Sequence, residues 1–467
     1  MQVTPPSVIL PTPALPAPSP GTEATPSPTP DQSSTPQPSP PPQFIPPTAA
    51  SLNLPSAQPA GGNPGFAPAS VGLPSMRLED SAGTPGALGD FFSWAKKLRF
   101  QAALRAGYDD NVNSGTSTNA IASTFANLNG GVNYRFGSPK LMGTLDLTGG
   151  VTRYFNSKIS QPLQGTVGLV LELDYRFSPR LVFTFNSSSS YQQQPNITLI
   201  GTANNSNSSY YYTANSLSGA YQLSDLFTSV TRFNYTESYY PENNNSQGFA
   251  DAGFTQSVRY LFRPTTTLVF DYNVDQYTYQ NSSLNSFGQY VDLGFDHTFN
   301  PKWFWNFRFG AQTQSSQNNA SYIGPYLDSN FSWVFGRASS INWVFHYGTQ
   351  PNGQNNGSYS IATRTGLNYT QGLFTKLKFD AGLYYVLNTY NNAVAGLTTN
   401  SAGNLQLLTE NYNQTQIQGN VDLSYKLNRI IDLSIGYQYL AQNSPTSPFS
   451  SQNYNRGITY LQLRGGF

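Results

Sequence analysis

The chain has no cysteine, two histidines and little charge, and each shortage removes a class of function. Without cysteine there are no disulfides, no thiolate metal sites and no cysteine nucleophiles. Charged residues fill 10% of the 467 positions and nearly balance, at a net +1; an ordinary soluble protein carries about 25%. Such a chain attracts neither nucleic acid nor acidic partners electrostatically, and no nucleic-acid partner is expected. No run of 18 apolar residues occurs, so no transmembrane helix is available. A signal peptide is also missing: "VILPTPALP" is apolar but broken by proline and lacks a basic flank, which implies a removed leader or a misassigned start.

What is abundant is aromatic and neutral polar. Aromatics reach 14%, with 31 Tyr and 30 Phe, and Asn, Ser, Thr, Gln and Gly fill much of the rest. Most of the 34 prolines crowd into residues 1 to about 75, as in "PSPPPQFIPP". Proline at that density favours extended polyproline II, and the apolar content is too sparse to offset ordering entropy. Residues 1–89 are therefore expected to be a disordered, proline-rich tether, and 90–467 the folded part. At the junction, "DFFSWAKKL" (90–98) reads as a turn or two of helix capped by Asp90, or as a direct lead-in to the first strand.

From Lys97 onward the pattern has a period of two. "KLRFQAALRAGY" puts Leu98, Phe100, Ala102, Leu104, Ala106 and Tyr108 on one face, and Arg99, Gln101 and Arg105 on the other. The same alternation recurs in "TVGLVLELDYRF", "KWFWNFRFG" and "KLKFDAGLYYV". Sharp turns follow a repeated ending, "YRFGSPK", "YRFSPR", "YLFRPT", "HTFNPK", and longer polar connections such as "PENNNSQG" and "NNAVAGLTTNSAGNLQLLTEN" (391–411) lie between. Segment counting predicts about 18 strands, with 16 as the alternative. Their starts fall near 97, 122, 140, 163, 180, 209, 226, 248, 265, 286, 302, 321, 338, 358, 375, 411, 430 and 453.

Charge placement separates a soluble sandwich or propeller from a closed membrane barrel. Acids at Asp146, Glu172, Asp174, Asp271, Asp275, Asp292, Asp296, Asp328, Asp380, Asp422 and Asp432 fall on the face opposite the apolar one. So do bases at Arg99, Arg105, Arg135, Arg176, Arg232, Arg259, Arg308, Arg364, Lys378, Lys426 and Arg464. Every strand has an apolar face and nothing else in the chain could cover it, whereas lipid can. The expectation is an all-β, transmembrane, antiparallel up-and-down barrel in the outer membrane of a Gram-negative bacterium, with these charges lining a pore. Tyr134, Phe136, Tyr175, Phe177, Tyr260, Phe262, Phe299, Trp333 and Phe335 would then form an aromatic girdle at the short-turn boundary. The outward face reads as similarly aromatic all round, which predicts a monomer among outer-membrane lipids.

The chain ends "TYLQLRGGF", with Leu461, Leu463 and Phe467 on one parity. That ending is similar to the terminal signal read by the barrel assembly machinery, with Gly465 as a departure, and it places both termini in the periplasm. "AGYDDNVNSG" (106–115) at the end of the first strand, the final Phe and roughly 370 residues of alternating strands together resemble a family of β-barrel porins, some of which accompany exopolysaccharide gene clusters. The resemblance implies an outer-membrane channel of undefined substrate and supplies no catalytic residues, cofactor or metal.

Rival chemistries are thin. His297 lies on the outward parity, and His346 faces inward without a serine elbow, so no enzyme is expected. Asp109, Asn111 and Asn113 begin like a calcium loop, but Ser114 and Ala120 replace its glycine and glutamate; Asp110 and Asn111 are instead expected to cap the first loop. A lumen of 16 to 18 strands is too wide for side chains to fill, which favours passive diffusion of small hydrophilic solutes or ions. Bases near the short turns and Asp275, Asp292 and Asp328 further in suggest a basic mouth, an acidic midsection and weak selectivity. Inward Tyr277, Tyr279 and Tyr384 could stack on sugars or simply pack. The competing reading is a non-conducting scaffold or saccharide exit port coupled through the tether to peptidoglycan or a periplasmic partner. About 75 extended residues at about 3.1 Å each would reach ~200 Å.

Overall fold

The computed structural model describes residues 98–114, 118–192, 209–241, 248–279, 285–316, 319–335, 338–351, 359–399, 405–444 and 453–466. The tether, the helical reading at 90–97 and the Phe467 signal lie outside the described residues. The strands are β1 (Leu98–Asp109), β2 (Ser123–Gly137), β3 (Leu141–Tyr154), β4 (Leu163–Ser178), β5 (Leu181–Gln192), β6 (Tyr210–Gln222), β7 (Phe227–Tyr239), β8 (Phe249–Arg263) and β9 (Thr266–Tyr279). They continue with β10 (Ser286–Asn300), β11 (Trp303–Ser316), β12 (Asn319–Val334), β13 (Ser340–Pro351), β14 (Tyr359–Gly372), β15 (Leu377–Thr399), β16 (Leu405–Lys426), β17 (Ile431–Asn443) and β18 (Tyr454–Gly466). Each pairs antiparallel with its chain neighbours, and β1 pairs with β18 as well as β2, so the sheet closes into an 18-stranded barrel.

All but one of the predicted strand starts fall within two residues of the observed ones. The exception is β16. The loop expected over 391–411 is largely strand: β15 runs to Thr399 and β16 begins at Leu405, paired from Ala393↔Glu410 to Thr399↔Leu405. Register shifts at Tyr390/Ala393 and Val394/Gly396 interrupt the alternation there. A bulge puts two residues against one, and the period-two pattern that marks a strand is lost at that point.

The outward face carries large apolar side chains at high exposure, from Phe177 (64%) and Leu163 (62%) to Ile323 (77%). Its aromatic content is uneven, contrary to the sequence reading. Aliphatics such as Leu104, Leu128, Leu147, Val151, Val167 and Leu169 dominate β1 to β4, whereas β10 to β13 present Phe295, Trp303, Trp305, Phe307, Phe331, Trp333 and Trp343 in mutual ring contact or in neighbouring positions.

Three of the short turns share one device. At β4–β5, β8–β9 and β10–β11 the register shifts across Arg176/Ser178, Leu261/Arg263 and Thr298/Asn300, leaving Phe177, Phe262 and Phe299 as the extra residues. Each is more than half exposed, and each is followed two positions on by a proline (Pro179, Pro264, Pro301). Proline pre-sets the turn dihedral and cannot continue the ladder, so strand and bulge end together. In "YRFGSPK" the β2–β3 ladder runs to Gly137↔Met142 without a shift, and Gly137 makes the turn with φ +148°, where a Cβ would fall 2.3 Å from the Leu141 carbonyl oxygen. Six of the nine predicted girdle residues come together in pairs here: Tyr134 with Phe136 at 5.6 Å, Tyr175 with Phe177 at 6.4 Å and Trp333 with Phe335 at 5.0 Å between ring centroids.

At the opposite, long-loop end the first and last strands are clasped by a buried ion pair. Arg456 of β18 donates from Nη2 to Asp109 Oδ2 at 2.6 Å and from Nε to both carboxylate oxygens at 3.1 Å. The two side chains are 2% and 1% exposed. Asp110 accepts from the Gly457 N–H at 2.6 Å, and Asn111 Nδ2 donates to the Asn455 carbonyl at 2.8 Å. Asp110 and Asn111 therefore tie the end of β1 to β18. The loop is held by Asp109, which accepts from the Asn111 N–H at 3.1 Å, and by Asn113, which accepts from the Ile121 N–H at 3.0 Å. Ser114 turns the chain with φ 47°.

Breaking this clasp from one side leaves a buried charge unpaired, which costs ~3–5 kcal/mol, whereas replacing both partners by apolar groups of similar volume costs far less. Arg456→Met should therefore lower the denaturant midpoint of the folded barrel well below that of the Asp109→Leu/Arg456→Met double variant. Equal midpoints would show that the pair does not hold the seam.

Candidate functional site

The inner wall changes character along the barrel. The charged positions predicted to face inward lie on one parity of their strands, opposite most of the exposed apolar residues; Met142, Val170 and Val334 share their parity. Arg135, Glu172, Asp174, Arg176, Lys378 and Lys426, close to the short turns, are exposed; Arg99, Asp146, Asp296, Asp380, Asp422, Asp432 and Arg464 are half-buried. Further in, Arg105, Arg232, Arg259, Asp275, Asp292, Arg308 and Arg364 are buried, with Asp271 and Asp328 intermediate. The wall is thus open at the short-turn end and shielded towards the long loops.

Hydrogen bonds order the open end. Asn133 Nδ2 donates to Asp146 at 2.6 Å, Thr184 to Asp174 at 2.7 Å and Thr370 to Asp380 at 2.7 Å, while Lys378 Nζ lies 2.9 Å from Asp380.

The centre of the wall is a row of facing Asp, Arg and His side chains along β8 to β14. Asp271 stands opposite Asp292, Arg308 opposite Asp328, Asp328 opposite His346, and His346 opposite Arg364. Arg308 is the hub. Its Nη2 donates to Asp296 at 2.7 Å, its Nε reaches across β10 to Asp271 at 3.4 Å, and its Nη1 donates to the Phe295 and Phe307 carbonyls at 2.9 and 3.0 Å. Arg259 adds a contact to Asp296 at 3.7 Å. The planar fork of arginine suits several oxygens at once, which an ammonium could not reach. Gly294 makes room for it: a Cβ there would lie 2.7 Å from Arg308 Cδ. An acidic midsection, as read from the sequence, is not what the structure holds. Arg232, Arg308 and Arg364 stand among the aspartates because cross-strand neighbours, not chain position, decide which charges meet. Charge is also uneven around the wall, since the inward residues of β5 are Val182, Thr184, Asn186, Ser188 and Ser190.

Above this row the wall is packed by aromatic rings. Tyr290 stacks on Tyr326 at 4.8 Å, and Tyr326 meets the His346 imidazole edge-on at 5.6 Å. His346 Nδ1 lies 3.4 Å from Asp328. A cavity of about 10 Å³ among Asp275, Tyr277, Tyr290, Gln312, Tyr326 and His346 has room for about one water. Tyr277 and Tyr279 are 3% and 7% exposed. Tyr384 lies over Gly366, whose added Cβ would meet its ring at 2.2 Å, and donates to Asn368 at 2.6 Å. These tyrosines are packed, with no ring face offered to a sugar.

Two features of the site escape the charge pattern. The β12–β13 ladder stops at Leu327↔Tyr347, two residues short of Pro325. Proline has no N–H to give, and β12 departs from its neighbour there. Gln312 of β11 bridges the gap: Nε2 donates to the Pro325 carbonyl at 2.7 Å, and Oε1 accepts from the Thr349 N–H at 2.9 Å and hydroxyl at 3.1 Å. The proline was a usable signal in the sequence; the glutamine was not. At the seam, the Arg105 guanidinium lies 3.5 Å from the centroid of Tyr460, which donates to Asp422 at 3.1 Å. This is cation–π contact across β1 and β18. The Asp109 carboxylate is taken up by Arg456, and among the described residues no group of three or more His, Asp or Glu is placed to hold a metal ion.

No family model matches the chain, and no curated protein matches it. Solved structures similar to it include the siderophore receptor PirA from Pseudomonas aeruginosa (11% identity, 79% of this chain and 80% of that one, TM-score 0.41). Another is OpdK with vanillate, from the same organism (11% identity, 80% and 99% coverage, TM-score 0.41). A third is the siderophore receptor PirA from Acinetobacter baumannii (9% identity, 79% and 80% coverage, TM-score 0.41). At TM-scores below 0.5 none of these likenesses bears on what this chain carries.

Arg308→Ala should leave Asp271 and Asp296 without their shared cation and lower stability by about 3 kcal/mol or more, with Arg308→Lys recovering only part, measured by denaturant titration of the folded barrel. Chelator, in contrast, should leave the melting temperature unchanged; a drop of several degrees would mean that Asp109 serves a metal after all.

Proposed function

We propose that this chain is an outer-membrane β-barrel of a Gram-negative bacterium, with its short turns and both termini periplasmic, acting as a narrow porin-like channel for ions and small hydrophilic solutes. The observation that carries this reading is the exposure of the apolar face on a closed sheet: aliphatic and aromatic residues are more than one-third exposed in every quarter of the barrel, and most strand charges, Arg153 and Glu237 excepted, are on the other parity. In water that outer surface would aggregate; in lipid it is the stable arrangement, because the closed ladder pairs the backbone between neighbouring strands, and Gln312 takes up the Pro325 carbonyl and the Thr349 N–H where the β12–β13 ladder stops. The aromatic pairs beside the short turns fit a girdle at one membrane boundary. Inside, a wide exposed mouth leads to a wall of both signs, which suits weak ion selectivity. The shielded residues around Tyr277, Tyr290 and Tyr326 would make the constriction.

That same shielding favours a second reading, a barrel that conducts little and serves as an anchor or exit port for a periplasmic partner held by residues 1–89. Recognition by the barrel assembly machinery through Phe467 belongs to either reading.

Single-channel recording in planar bilayers separates the two. The full-length barrel should give small conductance steps with weak selectivity, and Tyr326→Ala should raise the step at least about twofold by removing a ring from the constriction. Loss of residues 1–89 should leave conductance unchanged. A folded barrel that conducts nothing, with or without those residues, would leave only the scaffold reading.

A further inference from the structure

On the outer surface of β10 to β13, close to the short turns, Phe299, Trp303, Trp305, Phe331 and Trp343 line a groove of about 560 Å³ with Asn300 at its edge. That volume is in the range of small-ligand clefts, ~300–1,000 Å³. Two of its three indoles have already spent their N–H groups on the wall: Trp305 donates to Ser329 at 3.0 Å and Trp343 to Thr365 at 3.0 Å. Ring faces and edges are left, so the groove is apolar and gives water little to bind. Trp303 meets Phe331 edge-on at 5.9 Å and Trp333 at 5.2 Å, which holds the groove open rather than letting it collapse.

A lysine lies in the adjoining turn. Lys302 sits in the turn whose flanking residues, Phe299, Asn300 and Trp303, line the groove, and its N–H is pinned to Asn300 Oδ1 at 2.8 Å. His297, beside Phe299 at 4.3 Å, faces the same outer surface. The pattern extends around this end: Lys140, Arg180, Arg263, Lys376 and Arg429 occupy or flank other short turns, and Asp225 is the one acid in the described short turns. An apolar slot flanked in the chain by a lysine, on the apolar outer face, complements one kind of molecule: an acyl chain that ends in a phosphate.

We infer that the groove binds an anionic phospholipid of the adjoining leaflet, its acyl chain against Trp303, Trp305, Phe331 and Trp343 and its phosphate at Lys302. This rests on the membrane reading of the barrel. The tryptophans themselves report it. The full-length protein is reconstituted in zwitterionic phosphatidylcholine vesicles, and tryptophan emission is quenched by a few mole per cent of either phosphatidylglycerol or phosphatidylcholine carrying brominated acyl chains. One basic residue at an anionic surface corresponds to about a fivefold preference, so brominated phosphatidylglycerol should quench about five times more effectively per mole. Lys302→Gln should bring that ratio to near one, while Lys140→Gln, at a turn away from the groove, should leave it unchanged. A ratio near one in the unaltered protein, or a ratio indifferent to Lys302→Gln, overturns the proposal. So does protection of the tryptophans from both lipids together with a cross-linked dimer, which would assign the groove to a second copy of the chain. Failure of the protein to float with the vesicles would instead overturn the membrane reading.

Discussion

Every other property of this barrel depends on closure of its hydrogen-bond ladder. A sheet of 17 paired neighbours would leave β1 and β18 as open edges, and an open edge is a template for aggregation in water and unsatisfiable in lipid. The β1–β18 pairing removes both edges at once. It joins residues some 350 positions apart, the longest loop the chain can close, and that entropy must be offset by contacts formed only at the seam. The seam is correspondingly built: a bidentate Asp109–Arg456 pair, two further side-chain to backbone links from Asp110 and Asn111, and Arg105 stacked on Tyr460.

Closure also gives the two faces their meaning. Once the sheet is a cylinder, alternation along each strand becomes inside and outside, and charges far apart in the chain are brought into one row. Arg308 touches Asp271 and Asp296 on two different strands because the wall curves them towards it, and Gly294 lets the guanidinium lie close against the backbone. On the outside the same geometry gathers four tryptophans of β11 to β13 into one aromatic sector.

Much of this could be read before any coordinates. Strand starts followed from alternation and from the Phe-x-Pro endings. The places where the reading failed are those where alternation is locally broken. The β15–β16 extension carries two register shifts, Asp110 bonds to the far end of the chain, and Gln312 replaces a ladder that Pro325 interrupts. In each case the partner lies on another strand, and a period-two pattern carries no information about which residue stands opposite.

The amino-acid order by itself determined that this chain makes many antiparallel strands with one apolar and one polar face, because side-chain period and turn chemistry are local properties of the backbone. Only the tertiary structure chose 18 strands over 16 and decided that Arg456 answers Asp109, that arginines stand among the aspartates of the inner wall, and that Trp303, Trp305 and Trp343 line one groove. Those outcomes depend on register across the cylinder, which is set by all the pairings together and by no single segment.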